Sequence, residues 1–300
     1  MHGNPRNAIL AAFAADSLAL GVHWVYDTDA IARRYGRVTS VVKPELAPFH
    51  QGREAGDLTH YGDQMLLLLR HVAGAGGFDP EGFAAAWRDS MRSYAGYLDQ
   101  ASRQTLAALD SGRPPLQAGS ASSDLSGAAR MAPLLILALE PEALAGAARL
   151  QAQLTHSSPL VLAAAELLAR ACPLVMAGAQ PDAALEQAAR ETGDLTVADL
   201  VRRGLAARDQ DVVTAVRAFG QSCAAMSALP GAVQIVARHG GDLRLALEEN
   251  VMAGGDSAAR GMFVATLLGC RPGASIPAEW LGGLRCRDEV LGLFERINRR

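Results

Sequence analysis

Residues 11–21 read Ala11-Ala12-Phe13-Ala14-Ala15-Asp16-Ser17-Leu18-Ala19-Leu20-Gly21, and this stretch decides the fold class. Its alanine and leucine content reads as a helix over about 6–22, closed by a glycine. The wider segment from Ala8 to Val25, with Arg6 before it, resembles a signal-peptide core until Asp16 is reached. A carboxylate in the middle of an apolar segment is costly in lipid, and no uncharged run of membrane-spanning length occurs elsewhere. A soluble, cytoplasmic protein is therefore expected.

The same pattern continues outward. Apolar residues recur every three or four positions from 80 to 110 and from 126 to 268, with few β-branched runs. Helices are expected at about 63–73, 80–98, 126–139, 141–153, 158–177, 181–192, 209–226, 242–252 and 256–269. Ser158-Pro159 and Gln180-Pro181 put proline at a first turn, and Gly254-Gly255 parts two helices. Only Arg37 to Val42 has strand character. With no repeat, low-complexity tract or Pro/Gly-rich linker, residues 1–300 read as one compact all-α domain. The longest stretch without periodicity, Tyr26 to Tyr61, is placed to cover a cleft.

Composition narrows the function. The chain has 28 basic and 31 acidic residues, a net charge of −3 and one lysine, Lys43, so it lacks the basic footprint of a nucleic-acid binder. A half-hydrophobic chain of 300 residues forms a core without staples and is too apolar for disorder. Cys172, Cys223, Cys270 and Cys286 lie far apart, as reduced core thiols would. Neither nucleic acid nor membrane is expected as a partner.

Three segments place polar residues where the apolar pattern would otherwise continue. Asp16-Ser17 interrupts the first helix; its plain reading is an exposed helix edge. Gly56-Asp57-Leu58-Thr59-His60-Tyr61-Gly62-Asp63-Gln64-Met65 ends the long loop, and N-capping explains Asp63 but not the Thr, His and Tyr beside it. Gly254-Gly255-Asp256-Ser257-Ala258-Ala259-Arg260 combines glycines with a helix N-terminus, which suits a diphosphate. Its plain reading is a cap with an Asp256–Arg260 ion pair.

In their order and spacing these segments resemble the ADP-ribosylglycohydrolase family, which also includes certain lens crystallins. Ala11 to Gly21 is similar to the family's "GDALG" helix, Ser126-Gly127-Ala128-Ala129-Arg130-Met131-Ala132-Pro133-Leu134 to its "GxxMRxxPL" segment, and Thr155-His156 to its "TH" element. Gly254-Gly255-Asp256, Leu267-Leu268-Gly269 and Ile276-Pro277-Ala278-Glu279-Trp280 match its "GGDTDT…LLGA…IPxxW" ending. The resemblance implies an orthogonal all-α bundle with a cleft for ADP-ribose, faced by Asp16, Thr59, Arg130, Gly254, Gly255, Ser257 and Arg260. It implies a small-molecule or ADP-ribosylated substrate and a glycosidic-bond hydrolase; the alternative is a non-catalytic, ligand-binding or crystallin-like member.

Family enzymes hold two magnesium ions through a "TDDTQM" and the "GGDTDT" segment. Aligned on Gln64-Met65, the threonine and both aspartates of the first are His60, Tyr61 and Gly62; in the second, Ala258 and Ala259 replace the last Asp-Thr. Only Asp256 remains of the four ligand aspartates, so the pair is not expected, and one carboxylate could hold at most a single magnesium ion, with Asp16, Asp63 and His60 as further donors. Arg260, one turn after Asp256, is expected to reach back to that carboxylate in place of the metal. For proton transfer the candidates are Asp63, His60, Glu54 and Asp57, with His60 and Asp63 as an acid–base pair.

Overall fold

A computed structural model describes residues 3–299. In chain order its helices are α1 (Pro5–Leu20), α2 (Thr28–Tyr35), α3 (His60–Ala75), α4 (Pro80–Arg92), α5 (Gln100–Asp110), α6 (Ser126–Ala129), α7 (Pro141–Gln153), α8 (Pro159–Met176), α9 (Pro181–Thr192), α10 (Leu195–Ala206), α11 (Val212–Phe219), α12 (Ala225–His239), α13 (Leu243–Met252), α14 (Ser257–Gly269), α15 (Ala278–Gly283) and α16 (Arg287–Asn298). Three 3-10 segments, at Pro48–His50, Pro115–Gln117 and Ala132–Leu137, complete the elements; no strand occurs among the described residues. The all-α class read from the sequence is the class observed.

Two helices form the centre. Every residue of α14 and every residue of α1 from Ala11 to Leu20 is buried, and the two pack along each other. Small residues permit this: a Cβ on Gly269 would lie 2.8 Å from Ala8 Cα and 2.9 Å from Ala11 Cβ. The helix α1 starts where Asn4 accepts a 2.9 Å hydrogen bond from the Arg6 N–H ahead of Pro5, and α14 starts where Asp256 accepts one of 3.1 Å from the Ala259 N–H. Around them pack α6, α8, α12 and α13 on the α14 side and α3, α15 and α16 on the α1 side. One apolar cluster runs through all of these. The helix α8 is long and apolar enough to cross a membrane, and 56% of it is buried inside the protein.

Several expectations are corrected. Arg37 to Val42 is not a strand: Arg37 pairs with Glu248 and Glu249, the Val38 N–H points at the Met252 sulfur, and no neighbouring strand offers a ladder. The span 126–139 breaks after Ala129 and resumes as a 3-10 segment with Pro133 in its first turn. The span 209–226 stops at Gly220, whose φ of 103° is closed to other residues. The helices α2, α5, α10, α12, α15 and α16 are additional.

Candidate functional site

The polar centre forms where four chain segments meet. The loop after α1 carries His23 and Trp24, the turn at Pro48–His50 carries Phe49 and His50, and the first turns of α3 and α14 bring Thr59, His60, Tyr61 and Asp256. The glycines before α14 join two of these segments. Gly255 donates its N–H to the Val25 carbonyl at 2.8 Å and accepts the Trp24 N–H at 2.8 Å. Gly254 and Gly255 have φ of 65° and 63°, and a Cβ would fall 2.6 Å from the Val25 oxygen or 2.1 Å from the Gln221 oxygen. Only glycine lets the backbone pass between Val25 and Gln221.

Three imidazoles fill the junction. His23 Nε2 lies 3.0 Å from Asp256 Oδ1, and His23 Nδ1 lies 2.8 Å from His50 Nε2. An ionised carboxylate only accepts, so His23 carries its proton on Nε2 and the shared proton with His50 belongs to His50. Tyr61 donates its hydroxyl to Asp256 Oδ2 at 3.3 Å. His60 is 1% exposed, yet neither ring nitrogen has a hydrogen-bond partner; its nearest carboxylate, Asp99, is 3.4 Å from Nε2 and out of line. The three histidines each place a nitrogen within 4.8 Å of the others. Burial pushes His23 below its ordinary value despite Asp256, and burial with the neighbouring His23, His60 and Arg53 charges takes His50 down to about 2. These two rings are neutral at physiological pH. Burial, with Asp124, Asp256 and Asp99 nearby, holds the Tyr61 hydroxyl well above its usual range. Trp24, itself at a left-handed φ of 63°, lies over the cluster with its ring 4.4 Å from His23, 5.3 Å from His60 and 5.4 Å from Tyr97.

Asp16 closes the centre from the α1 side. It is fully buried, not an exposed helix edge, and accepts the Thr59 N–H at 2.7 Å and the Thr59 hydroxyl at 2.6 Å. Burial outweighs those bonds and raises its carboxyl to about 7. Its Oδ2 occupies the space in front of position 62, where a Cβ on Gly62 would lie 2.2 Å away.

The four acid candidates separate. Glu54 pairs with Lys43 at 2.6 Å at the surface, whereas Asp57 pairs with Arg285 at 3.2 Å and lines the same groove as Asp63. Asp63 is held by Arg53 and the Tyr94 hydroxyl, not by His60, so the His60–Asp63 pair is not formed. Burial raises the Asp63 carboxyl against the pull of Arg53 and Tyr94. It borders an open groove of about 600 Å³ lined also by Gln51, Arg53, Arg70, Ser90 and Tyr94.

Arg260 is also corrected. It is fully buried and donates to Asn250 Oδ1 at 2.7 Å and to the carbonyls of Asn250 and Gly254 at 3.0 and 2.9 Å, so it braces the glycine turn from below without bonding Asp256. The backbone N–H groups at this helix start are likewise occupied: Asp256 N–H donates to the Gln221 carbonyl, Ser257 N–H to the Gly255 carbonyl and Ala259 N–H to Asp256. Gly254, Gly255 and Ser257 therefore face protein, not an anion. Arg130 is 4% exposed and donates to Gln64 Oε1 and Thr155 Oγ1.

Sequence reasoning left out His23 and His50. They are 27 positions apart and match no ligand motif. The available signal was the gathering of His23, His50 and His60 in the first fifth of a chain with seven histidines.

The ADP-ribosylglycohydrolase family model matches residues 4–300. The chain belongs to the ADP-ribosylglycohydrolase family. It is 26% identical over 296 residues to an uncharacterized protein of Archaeoglobus fulgidus, covering 97% of this chain and 95% of the relative. A solved structure titled "ADP-ribosylglycohydrolase-related protein complex" superposes with a TM-score of 0.74 at 22% identity, over 98% of this chain and 96% of that one, which shows a shared fold. The family's magnesium pair does not fit the residues gathered here. Magnesium takes oxygen ligands, whereas the histidine cluster offers imidazole nitrogens, and the carboxylates beside it are engaged by protein: Asp256 by His23, Tyr61 and Ala259, and Asp16 by Thr59.

Proposed function

We propose that this ADP-ribosylglycohydrolase family member is a cytoplasmic hydrolase of a glycosidic bond in ADP-ribose or a related nucleotide-sugar, acting without the two-magnesium site. One observation carries the reading. Asp63, its carboxyl raised by burial, borders a groove of about 600 Å³ beside Arg53 and Arg70, one turn of α3 from His60. That volume is within the range that small-molecule sites occupy. Arg53, bonded to Asp63, and Arg70, paired with Glu289, are the groove's positive groups and would face a diphosphate by exchanging those carboxylates. A carboxyl of raised pKa is suited to protonate the leaving group as the oxocarbenium-like state develops. The substrate is a small molecule or an ADP-ribosylated side chain, and neither nucleic acid nor a membrane takes part.

A specific observation favours a second reading, ligand binding without turnover: Trp24, Phe49 and Tyr97 form a continuous aromatic cover over the histidines. The test is release of ADP-ribose from an ADP-ribosylated peptide in magnesium-free buffer. Release is expected, reduced by about 10²–10⁴-fold in Asp63→Asn. Absence of release, with ADP-ribose binding retained, would support the second reading instead.

A further inference from the structure

We propose that His23, His50 and His60 form a mononuclear site for a borderline transition-metal ion, with zinc(II) as the physiological class and cobalt(II) as its spectroscopic equivalent. Three imidazoles with converging nitrogens match the ligand chemistry of such ions, which prefer nitrogen where magnesium prefers oxygen. Among the described residues no other three His, Cys, Asp or Glu side chains converge in this way.

The geometry agrees in three respects. Imidazoles bound to a tetrahedral ion at about 2.0–2.1 Å have nitrogens about 3.4 Å apart and ring centroids about 5 Å apart. Here the centroids are 5.0, 5.9 and 5.9 Å apart and the nitrogens lie within 4.8 Å, with the His23–His50 pair at 2.8 Å. Ring shifts of about an ångström convert one arrangement into the other. An ion entering between His23 Nδ1 and His50 Nε2 takes the place of their shared proton, which moves to the other nitrogen of His50.

Second, a carboxylate stands behind His23, which turns Nε2 to Asp256 at 3.0 Å and leaves Nδ1 for the ion, and Asp99 lies 3.4 Å from His60 Nε2, within reach of a hydrogen bond once that ring turns. This is the outer-shell pattern that orients a metal-bound histidine. The two carboxylates also balance the charge of a divalent ion. Third, the plain reading of three satisfied core histidines fails for His60, whose two buried nitrogens have no hydrogen-bond partner. A metal ion completes it.

In the alignment His60 stands where the family's segment has its threonine, next to the two lost aspartates, and Asp256, the one ligand aspartate retained, becomes a support for His23. The inference concerns binding alone and does not rest on the hydrolase reading.

The test loads the chelator-stripped full chain with zinc chloride or cobalt chloride and measures metal per chain after gel filtration, with the visible absorption of the cobalt form. One equivalent is expected, with the intense bands of a four-coordinate cobalt ion, undisplaced by excess magnesium. His60→Ala and His50→Gln, each checked for folding by circular dichroism, should abolish stoichiometric loading, and Asp99→Asn should weaken it about tenfold. His71→Ala, outside the cluster, should change nothing. A folded wild-type chain that takes up neither metal, or uptake unchanged in both His50→Gln and His60→Ala, would overturn the proposal.

Discussion

Asp16 shows how one side chain governs its neighbours. Its carboxylate lies against α3 where Gly62 leaves room: a Cβ at that position would fall 2.2 Å from Asp16 Oδ2, so any larger residue there makes the Asp16 carboxylate shift. Asp16 also makes stability depend on pH. Its carboxyl is raised from 3.8 to about 7, chiefly by burial, so the folded chain keeps a proton that the unfolded chain releases. That contribution is complete below 3.8, the unfolded value, and is lost as pH rises through about 7. Asp16→Asn removes the titration. The stability of the variant relative to the wild type, from urea unfolding, should therefore rise by up to about 4 kcal/mol between about pH 4 and about pH 8. Parallel profiles for the two proteins would contradict this. At this scale the sequence singled out Asp256 and His60 as candidates, but their neighbours His23 and His50 arrive from a loop and a turn that carry no periodic signal.

The helices divide by how much apolar surface they bury. The spans 141–153, 181–192 and 256–269 were legible because each presents a sustained apolar pattern, and the observed helices differ by a residue at most. The helix α2 was not, since its eight residues bury only Thr28 and Ile31. In α12, Pro230 inside the helix hid a span whose stability comes from packing against α10, α11 and α14. The seam between α1 and α14 depends on its small residues. Gly269→Ala gains up to about 1 kcal/mol of helix propensity but forces a Cβ against the Ala8 backbone, which costs about 1–3 kcal/mol, so net destabilisation is expected. Gly292→Ala, in α16 with nothing within 4 Å of the added methyl, is the control and should be neutral or stabilising. Equal effects of the two on the urea midpoint would contradict the seam.

At the scale of the molecule, we propose that the fold has been kept while the chemistry of its centre has changed. The chain shares its family's all-α fold, built here on the buried α1–α14 pair, and the motif order along the chain made that membership readable in the sequence. The alignment shows which aspartates are absent, but the gathering of residues 23, 50, 60 and 256 depends on tertiary contacts that the sequence does not display. The stretch from Tyr26 to Tyr61, expected to cover a cleft, supplies Phe49 to the aromatic cover and His50 to the histidine cluster. Diffraction from crystals soaked in manganese chloride, an anomalous-scattering equivalent of magnesium, tests the central claim that this family member has exchanged its magnesium pair for a nitrogen-lined centre. The account expects no pair of neighbouring anomalous peaks between α1 and the start of α14; two peaks about 3.5–4 Å apart at Asp256 would contradict it.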